Sequence, residues 1–281
     1  AWGDYVRAHL RKEIPFEILA GNHEDNGVNG LIYDFIKFFP DELGATGYYG
    51  KEYTFDFPKT KPLARFIMIA ADSHFKVGGT YTYSKGNSHY LWLSKEIDGA
   101  RDSGIRWVIV GMHKNCLTAG SKYCQIGEDL MNLLVEKKVD LVLQGHDHNY
   151  QRTKALGLGN GCPGIKAGSF NPACVADAGT KDVFEKSAGT IIMIVGTGGY
   201  SNYSVNKKDA EAPYFDKLIG DKDHPTFGFG RFTVSADELK GEFVPTNKGL
   251  LRFLFTDEFH IMDSAYRLSH KEVIPPEKPQ I

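Results

Sequence analysis

The sequence predicts a layered α/β fold, and three observations support this prediction. Short apolar runs bounded by glycine or polar residues are typical of buried strands. The stretches between them are apolar on one face and charged on the other, as in helices that pack on a sheet. A chain of 281 residues with 42% hydrophobic side chains is long enough for one large buried core.

The elements follow one another in a regular order through the first two thirds of the chain. A helical segment at 5–12 opens the sequence and leads directly into an apolar run at 16–20. The predicted strands are 16–20, 66–71, 107–110, 141–143 and 191–195. The predicted helices between them are 31–39, 89–101 and 128–138.

The last third of the chain predicts a different arrangement. Strand patterns follow one another after residue 225, at 229–234, 242–245, 251–255 and 258–263, which favours an antiparallel finish. The segment 155–188 is interpreted as a loop insertion, because much of it is rich in glycine, alanine and asparagine. Residues 1–271 are therefore assigned to one domain and 272–281 to an extended or disordered tail.

Charge and hydropathy exclude two classes of partner. The 33 basic and 35 acidic residues give a net charge of -2 without a basic block, so nucleic acid and anionic membranes are not expected partners. No apolar run approaches the roughly 20 residues that a membrane-spanning helix needs.

The cysteines indicate an oxidising compartment. They form two close pairs in polar loops, Cys116 with Cys124 and Cys162 with Cys174, and neither pair has C-x-x-C zinc spacing. Four buried thiols of a cytosolic enzyme are the alternative, but loop cysteines favour two local disulfides in a secreted or periplasmic protein. The glycosylation sequon at Asn202 agrees with export.

Three of the apolar runs end in glycine followed by metal-binding residue types. These ends carry Asn22, His23, His113, His146 and His148. Since the carboxyl ends of neighbouring parallel strands meet at one edge of a sheet, we expect these side chains to lie together. Imidazole and amide oxygen suit zinc, manganese or iron. Two such ions roughly 3.5–4 Å apart would activate a bridging hydroxide for in-line attack at phosphorus.

The three motifs resemble the calcineurin-like metallophosphoesterases in residue type and order. They read Gly-Asn-His-Glu at 21–24, Gly-Met-His at 111–113 and Gly-His-Asp-His at 145–148. The block at 145–152 is similar to that of the purple-acid-phosphatase-like branch, as are 189–199 and 227–261. The resemblance covers residues 1–263 and implies a four-layer α/β/β/α sandwich without its N-terminal strands.

The resemblance also implies roles for individual residues. Asn22, His113 and His146 would bind one metal ion and His148 the other, with His23 as the proton donor to the leaving group. Candidate contacts to substrate are Lys114, Tyr150 and Arg152, although a solvated lysine and a packed Tyr-Arg pair are equally consistent with the sequence. The Cys116–Cys124 bridge would clamp the loop that follows His113 at the mouth of the site.

Two further motifs imitate metal ligands. Asp72 and His74 form an Asp-x-His pattern, but the resemblance places that pattern before the Asn-His block. Asp4 follows a glycine as a bridging aspartate does in the family, yet it lies where relatives have a tryptophan-containing helix. We therefore expect neither motif to bind metal.

The function that these residues predict is metal-dependent hydrolysis of a small phosphate ester, most simply a monoester. A diesterase or nucleotidase with the same ligands is the alternative, and a non-catalytic relative is the rival from another class. The family's carboxylate ligands come from strands before the Asn-His block, and only 21 residues precede Asn22. We expect an N-terminal segment of the same protein, attached or cleaved but still associated, to supply them.

Overall fold

The fold is known from a computed structural model that describes residues 2–11, 13–25, 31–223, 225–246 and 254–269. The helices are α1 (Trp2–His9), α2 (Asn22–Asp25), α3 (Ile32–Phe38), α4 (Ser88–Asp102), α5 (Glu128–Glu136) and α6 (Ser264–Ser269). The strands of the first half are β1 (Thr46–Tyr48), β2 (Glu52–Phe57), β3 (Ala64–Ile69), β4 (His74–Phe75), β5 (Gly79–Thr80), β6 (Trp107–Met112) and β7 (Leu141–Gln144). Those of the second half are β8 (Tyr150–Thr153), β9 (Ala155–Leu156), β10 (Val175–Asp177), β11 (Val183–Glu185), β12 (Ile191–Val195), β13 (Phe215–Ile219), β14 (Gly228–Val234), β15 (Glu238–Pro245) and β16 (Asp257–Met262).

Two sheets dominate the architecture. The larger has the order β1-β2-β3-β6-β7-β12-β8-β13, and its central strands β3, β6, β7 and β12 are parallel. The smaller has the order β11-β16-β15-β14 and is antiparallel except for the β11–β16 pair. Parallel order in the centre of the larger sheet brings the carboxyl ends of β6 and β7 side by side, as the sequence predicts.

Alternation along the strands creates two cores on opposite faces of the larger sheet. On β6, Val108 and Val110 belong to the core shared with α4 and α5, where Leu93 and Leu130 are buried. Their neighbours Trp107 and Ile109 belong to the core between the two sheets. This period of two is the geometry of a strand that is buried on both faces.

The sequence analysis predicted a four-layer α/β/β/α sandwich, and the α/β sandwich of two facing sheets with helices α4 and α5 packed on the larger one is confirmed. Its outer face on the smaller sheet carries ion pairs, including Arg231 with Glu242 and Lys240 with Glu258. Among the described residues, no helix is long and apolar enough to cross a membrane.

Most predicted elements occur close to their expected positions. The strand predicted at 191–195 coincides with β12, and the helix predicted at 128–138 is α5. The strand predicted at 242–245 is the second half of β15. Most of the strand predicted at 251–255 and the tail at 272–281 lie outside the described residues.

The strand predicted at 16–20 is wrong. This segment is extended but makes only one isolated parallel bridge, between Leu19 and Gly50. The backbone of Ile18 is engaged by side chains instead: its N–H donates to the Tyr49 hydroxyl, and its carbonyl accepts from the Tyr53 hydroxyl. Hydrogen bonds to these tyrosine hydroxyls take the place of the backbone hydrogen bonds that a neighbouring strand would provide.

The interpretation of 155–188 as a loop is also only partly correct. Residues of this segment form the β9–β10 pair, and β11 joins the smaller sheet beside β16. The disulfide Cys162–Cys174 lies within the segment and the disulfide Cys116–Cys124 in the loop after β6. Both predicted bridges are thus confirmed in the structure.

An apolar cavity of about 580 Å³ lies between the two sheets. Phe55, Phe66, Met68, Ile109, Leu143 and Phe229 are among the side chains that line it. His113 and Gly145 line the same cavity, so it extends to the strand ends that carry the predicted metal ligands. In the described part of the chain, β14 borders this cavity and pairs only with β15.

Candidate metal centre

Three loops at one edge of the larger sheet hold the predicted ligands. Asn22 begins α2, where the Gly21 N–H donates to the Glu24 carboxylate and closes the first turn. His113 follows β6 directly and His146 follows β7 after Gly145, whose N–H donates to the His113 carbonyl. This bond fixes the two histidine loops to each other.

The side chains of Asn22, His113 and His146 meet at one point. Asn22 Oδ1 lies 2.7 Å from His113 Nε2, and His113 Nε2 lies 3.1 Å from His146 Nδ1. Atoms that bind one ion at about 2.0–2.1 Å lie roughly 3 Å from each other. The spacing of these three donors therefore fits a shared metal ion.

The backbone of the third loop is held in a conformation that side chains rarely adopt. His146 has φ 64°, in the left-handed region. The loop packs tightly on the end of β12, because a Cβ at Gly196 would lie 1.9 Å from the Asp147 carbonyl oxygen. Backbone strain of this kind persists where surrounding structure enforces it, often at functional sites.

Burial keeps the imidazoles of this cluster neutral. Desolvation, with smaller contributions from the charges of His146 and Lys114, lowers the pKa of His113 to about 3. Desolvation and then the charge of Lys122 lower the pKa of His146 to about 4. Since metal ions bind the neutral form of histidine, both side chains are ready to act as ligands at neutral pH.

His148 lies beside this cluster in an aromatic setting. Its ring stacks on Tyr203 with centroids 4.2 Å apart, and Tyr200 contacts it edge-on at 5.0 Å. Its Nδ1 is buried and has no hydrogen-bond partner among the described residues. An orphaned imidazole nitrogen fits the prediction that His148 binds a metal ion.

His23 is exposed on α2, next to Asn22. Its charge contributes to lowering the pKa of both His113 and His148, which places it within electrostatic reach of the two ligands. This position is consistent with the predicted role of a proton donor at the rim of the site.

Acidic ligands are missing from the described part of this cluster. Among those residues, no three His, Cys, Asp or Glu side chains lie close enough together to hold a metal ion. Asp147, between His146 and His148, is fully buried but faces away: its carboxylate accepts hydrogen bonds from Thr118 and Ser121. The present donors are thus neutral imidazoles and one amide.

The motifs that imitate ligands have structural partners instead. The Asp72 carboxylate pairs with Lys114 at 2.8 Å, and the His74 ring bonds the Thr80 hydroxyl at 2.6 Å. Asp4 lies on α1. The expectation that neither motif binds metal stays a prediction.

Two of the three predicted substrate contacts need correction. Tyr150 and Arg152 are fully buried, and both bond the buried carboxylate of Asp257. Arg152 also pairs with Asp182 and Asp216, which satisfies its charge inside the protein. Because β8 passes into the sheet directly after the histidine block, these side chains point into the core and not toward a ligand.

Lys114 is only 8% exposed, and its ammonium is held by the Asp72 carboxylate and backbone carbonyl. It lies next to the ligand His113, but its charge is neutralised. Its role in substrate binding stays a prediction.

The sequence reasoning missed a second group of residues at the site, namely Asp147, Lys122 and Tyr203. Asp147 anchors the loop closed by the Cys116–Cys124 bridge, and Lys122 of that loop lies with its ammonium 5.5 Å from the centre of the Tyr203 ring. The position of Asp147 between two histidines was the available signal. Nothing in the local sequence indicates that Tyr203 stacks on His148.

Comparison with known proteins gives one consistent result. Residues 1–150 match the family described as calcineurin-like phosphoesterase. An uncharacterised protein of Mycobacterium tuberculosis is 29% identical over 214 residues, which is 71% of this chain and 38% of that protein. A purple acid phosphatase of Glycine max is 25% identical over 226 residues, which is 76% of this chain and 43% of that enzyme. The chain thus spans about two fifths of the length of these relatives.

A solved structure supports the fold. The purple acid phosphatase from yellow lupin (Lupinus luteus) seeds superimposes with a TM-score of 0.55 and 20% identity, over 79% of this chain and 35% of that one. The two proteins therefore share a fold although few of their residues are identical.

Proposed function

Because the chain belongs to the calcineurin-like phosphoesterase family, we propose that it is part of a metal-dependent hydrolase of phosphate monoesters. The observation that carries this proposal is the convergence of Asn22 Oδ1, His113 Nε2 and His146 Nδ1 within 2.7 and 3.1 Å of one another. Three neutral donors from separate loops meeting at the carboxyl edge of a sheet are typical of a metal site.

Asn22, His113 and His146 would hold one metal ion, and His148 would help to hold a second. When bound, such ions neutralise the charge of a phosphate ester and activate water for attack at phosphorus. The protein's own part is to fix the ligands: burial keeps the imidazoles unprotonated, and the Gly145–His113 backbone bond keeps two ligand loops in register.

His23 is the residue that moves a proton. It lies on α2 directly after the ligand Asn22 and is exposed, so it reaches solvent and the rim of the site. From this position its ring protonates the departing oxygen of the ester, which raises the rate by roughly 10²–10⁴ in comparable general-acid catalysis.

The acidic ligands come from an N-terminal segment beyond the 281 residues. Two cations beside neutral donors need carboxylates to offset their charge and to bridge them. The apolar cavity between the sheets supports this proposal, because Phe55, Phe66 and Phe229 line it and its end reaches His113. A strand placed there would pair with the available edge of β14 and deliver carboxylates to the metal ligands.

The two disulfides support a site of action outside the cytosol, since such bridges persist in oxidising compartments. Peptide mapping under non-reducing conditions checks this point. Free or differently paired cysteines would contradict it.

Hydrolysis assays test the proposed activity directly. The full-length protein, reconstituted with zinc, manganese or iron, should hydrolyse p-nitrophenyl phosphate with a higher kcat/KM than bis-p-nitrophenyl phosphate or nucleotides. A preference for the diester would identify a diesterase with the same ligands. No turnover of any ester after metal uptake would contradict the proposal and favour a non-catalytic relative.

Replacement of the proton donor tests the mechanism. His23→Ala should reduce kcat by roughly 10²–10⁴ while the number of bound metal ions stays unchanged. His9→Ala, an exposed histidine of α1, serves as the matched control and should retain full activity. Wild-type activity in His23→Ala would refute the assigned role.

A further inference from the structure

We propose that Lys122 binds the phosphate group of the substrate and makes the site selective for dianionic monoesters. This inference rests on the proposed function, which supplies the phosphate ester. It concerns a residue of the loop at 117–124, hereafter the lysine loop, which lies beside the histidine block.

The lysine loop is fixed at its base by two independent constraints. The Cys116–Cys124 disulfide closes it. The buried carboxylate of Asp147 accepts hydrogen bonds from the Ser121 N–H at 3.2 Å and the Lys122 N–H at 3.4 Å. Because Asp147 lies between His146 and His148, the backbone of Lys122 is tied to the segment that carries two proposed metal ligands.

The side chain of Lys122 is directed over the same segment. Its ammonium lies 5.5 Å from the centre of the Tyr203 ring, and Tyr203 stacks on His148 at 4.2 Å. The ammonium of Lys122 and the imidazole of His148 thus both lie against the Tyr203 ring.

The ammonium of Lys122 has no ion-pair partner in the part of the chain that the structure describes. Lys114, the other lysine beside the ligands, differs in this respect because Asp72 neutralises it at 2.8 Å. A half-buried cation without a carboxylate partner favours an anion in front of it. Of the two lysines beside the site, Lys122 is therefore the one available to a phosphate oxygen.

This arrangement favours monoesters over diesters. A phosphate monoester carries up to two negative charges near neutral pH, whereas a diester carries one, so an ammonium at the site stabilises the monoester more. The lysine also remains free to adjust its position, because it acts as a flexible point charge and not as a rigid fork. Its contribution belongs to substrate binding rather than to metal binding.

A substitution series on the metal-reconstituted full-length protein tests the proposal. Lys122→Gln should raise KM for p-nitrophenyl phosphate and the Kd of inorganic phosphate, measured by calorimetry, by about 10- to 100-fold, as expected for a charged hydrogen bond. It should change KM for the diester less than threefold and leave metal content unchanged. Lys122→Arg should restore most of the phosphate affinity, and Lys95→Gln, an exposed lysine of α4, should behave as wild type.

The outcomes separate this inference from the proposed function. If the wild type hydrolyses esters but Lys122→Gln has unchanged KM and phosphate Kd, Lys122 only packs on Tyr203 and the inference is overturned. If the wild type hydrolyses nothing yet binds phosphate, and Lys122→Gln weakens that binding, the phosphate site stands and the enzymatic proposal falls. Absence of phosphate binding by the metal-loaded wild type would overturn the inference.

Discussion

His113 and His146 must be buried enough to stay unprotonated, and their ring nitrogens must still have polar partners. In the structure they contact each other and Asn22. Because the folded state holds both histidines unprotonated, it loses stability in acid, so their lowered pKa values have a measurable consequence.

The stability of the metal-free protein should fall as the pH is lowered from 6.5 toward 4. In this range the unfolded chain protonates histidine at its ordinary pKa of 6.5, whereas His113 and His146 remain neutral when folded because their pKa values are about 3 and about 4. The unfolded state thus binds more protons, and the free energy of unfolding rises with pH. Each histidine contributes at most about 1.4 kcal/mol per pH unit.

Urea unfolding of the metal-free protein at pH 7.5, 6 and 5 measures this dependence. His113→Asn should have a shallower slope of unfolding free energy against pH than the wild type. His9→Asn is the control and should keep the wild-type slope, since His9 is exposed on α1. Equal slopes for His113→Asn and wild type would show that burial of His113 does not control its protonation.

At the scale of elements, the site depends on loops that are fixed by contacts far apart in sequence. The lysine loop is closed by Cys116–Cys124 and held by Asp147, which lies after the next parallel strand, β7. A Cβ at Gly120 would lie only 2.0 Å from the Asp147 carboxylate, so the two loops are in close contact. Closure of one loop therefore positions the other.

Removal of the Cys116–Cys124 bridge should impair both stability and phosphate binding. The double variant Cys116→Ser, Cys124→Ser should lose about 2–3 kcal/mol of unfolding free energy, as chain entropy predicts for a short closed loop. It should also weaken phosphate binding, because Lys122 loses one of its two constraints. Denaturant unfolding and calorimetry measure the two effects.

The other disulfide provides the matched control. Cys162 and Cys174 are separated by 12 residues and Cys116 and Cys124 by 8, so the two bridges close loops of similar length. Cys162→Ser, Cys174→Ser should lose similar stability and keep the phosphate affinity of the wild type. An equal loss of affinity in both variants would indicate a general effect of destabilisation.

At the scale of the whole molecule, the two sheets enclose one complete core and one cavity with an apolar lining. Trp107 and Phe259 are fully buried between the sheets. The cavity between the same sheets adjoins the strand ends, and Phe229 on its β14 side is 50% exposed. The cavity lies at the same end of the sandwich as the candidate metal ligands.

Active material should accordingly contain more chain than these 281 residues. Intact mass together with metal counting is expected to give two tightly bound ions and a mass above 31.3 kDa, or a second associated chain. The second ion is expected because the proposed N-terminal segment would supply the carboxylate ligands that hold it. Two tightly bound ions and full turnover from the 31.3 kDa species alone would contradict this and make Asp4 or Asp72 the acidic ligand.

The sequence by itself determined the local elements and the candidate ligands. Apolar periodicity located β12, α4 and α5, because a buried face imposes its period on the chain. Glycine followed by asparagine or histidine located Asn22, His113 and His146, since ligand chemistry restricts residue type. The close spacing of the cysteines was enough to predict both disulfides.

Only the tertiary structure decided which polar residues face the site. Tyr150 and Arg152 carry chemistry suited to a phosphate, yet they pair with Asp257, more than 100 residues away. Lys122 lies against Tyr203, which stacks on His148, and local sequence encodes neither contact. The orientation of a side chain depends on the partners that strand order brings next to it. A charged side chain is stable inside the protein only where an oppositely charged partner lies beside it. Residue type therefore indicated the chemistry of the site, and packing selected the residues able to perform it.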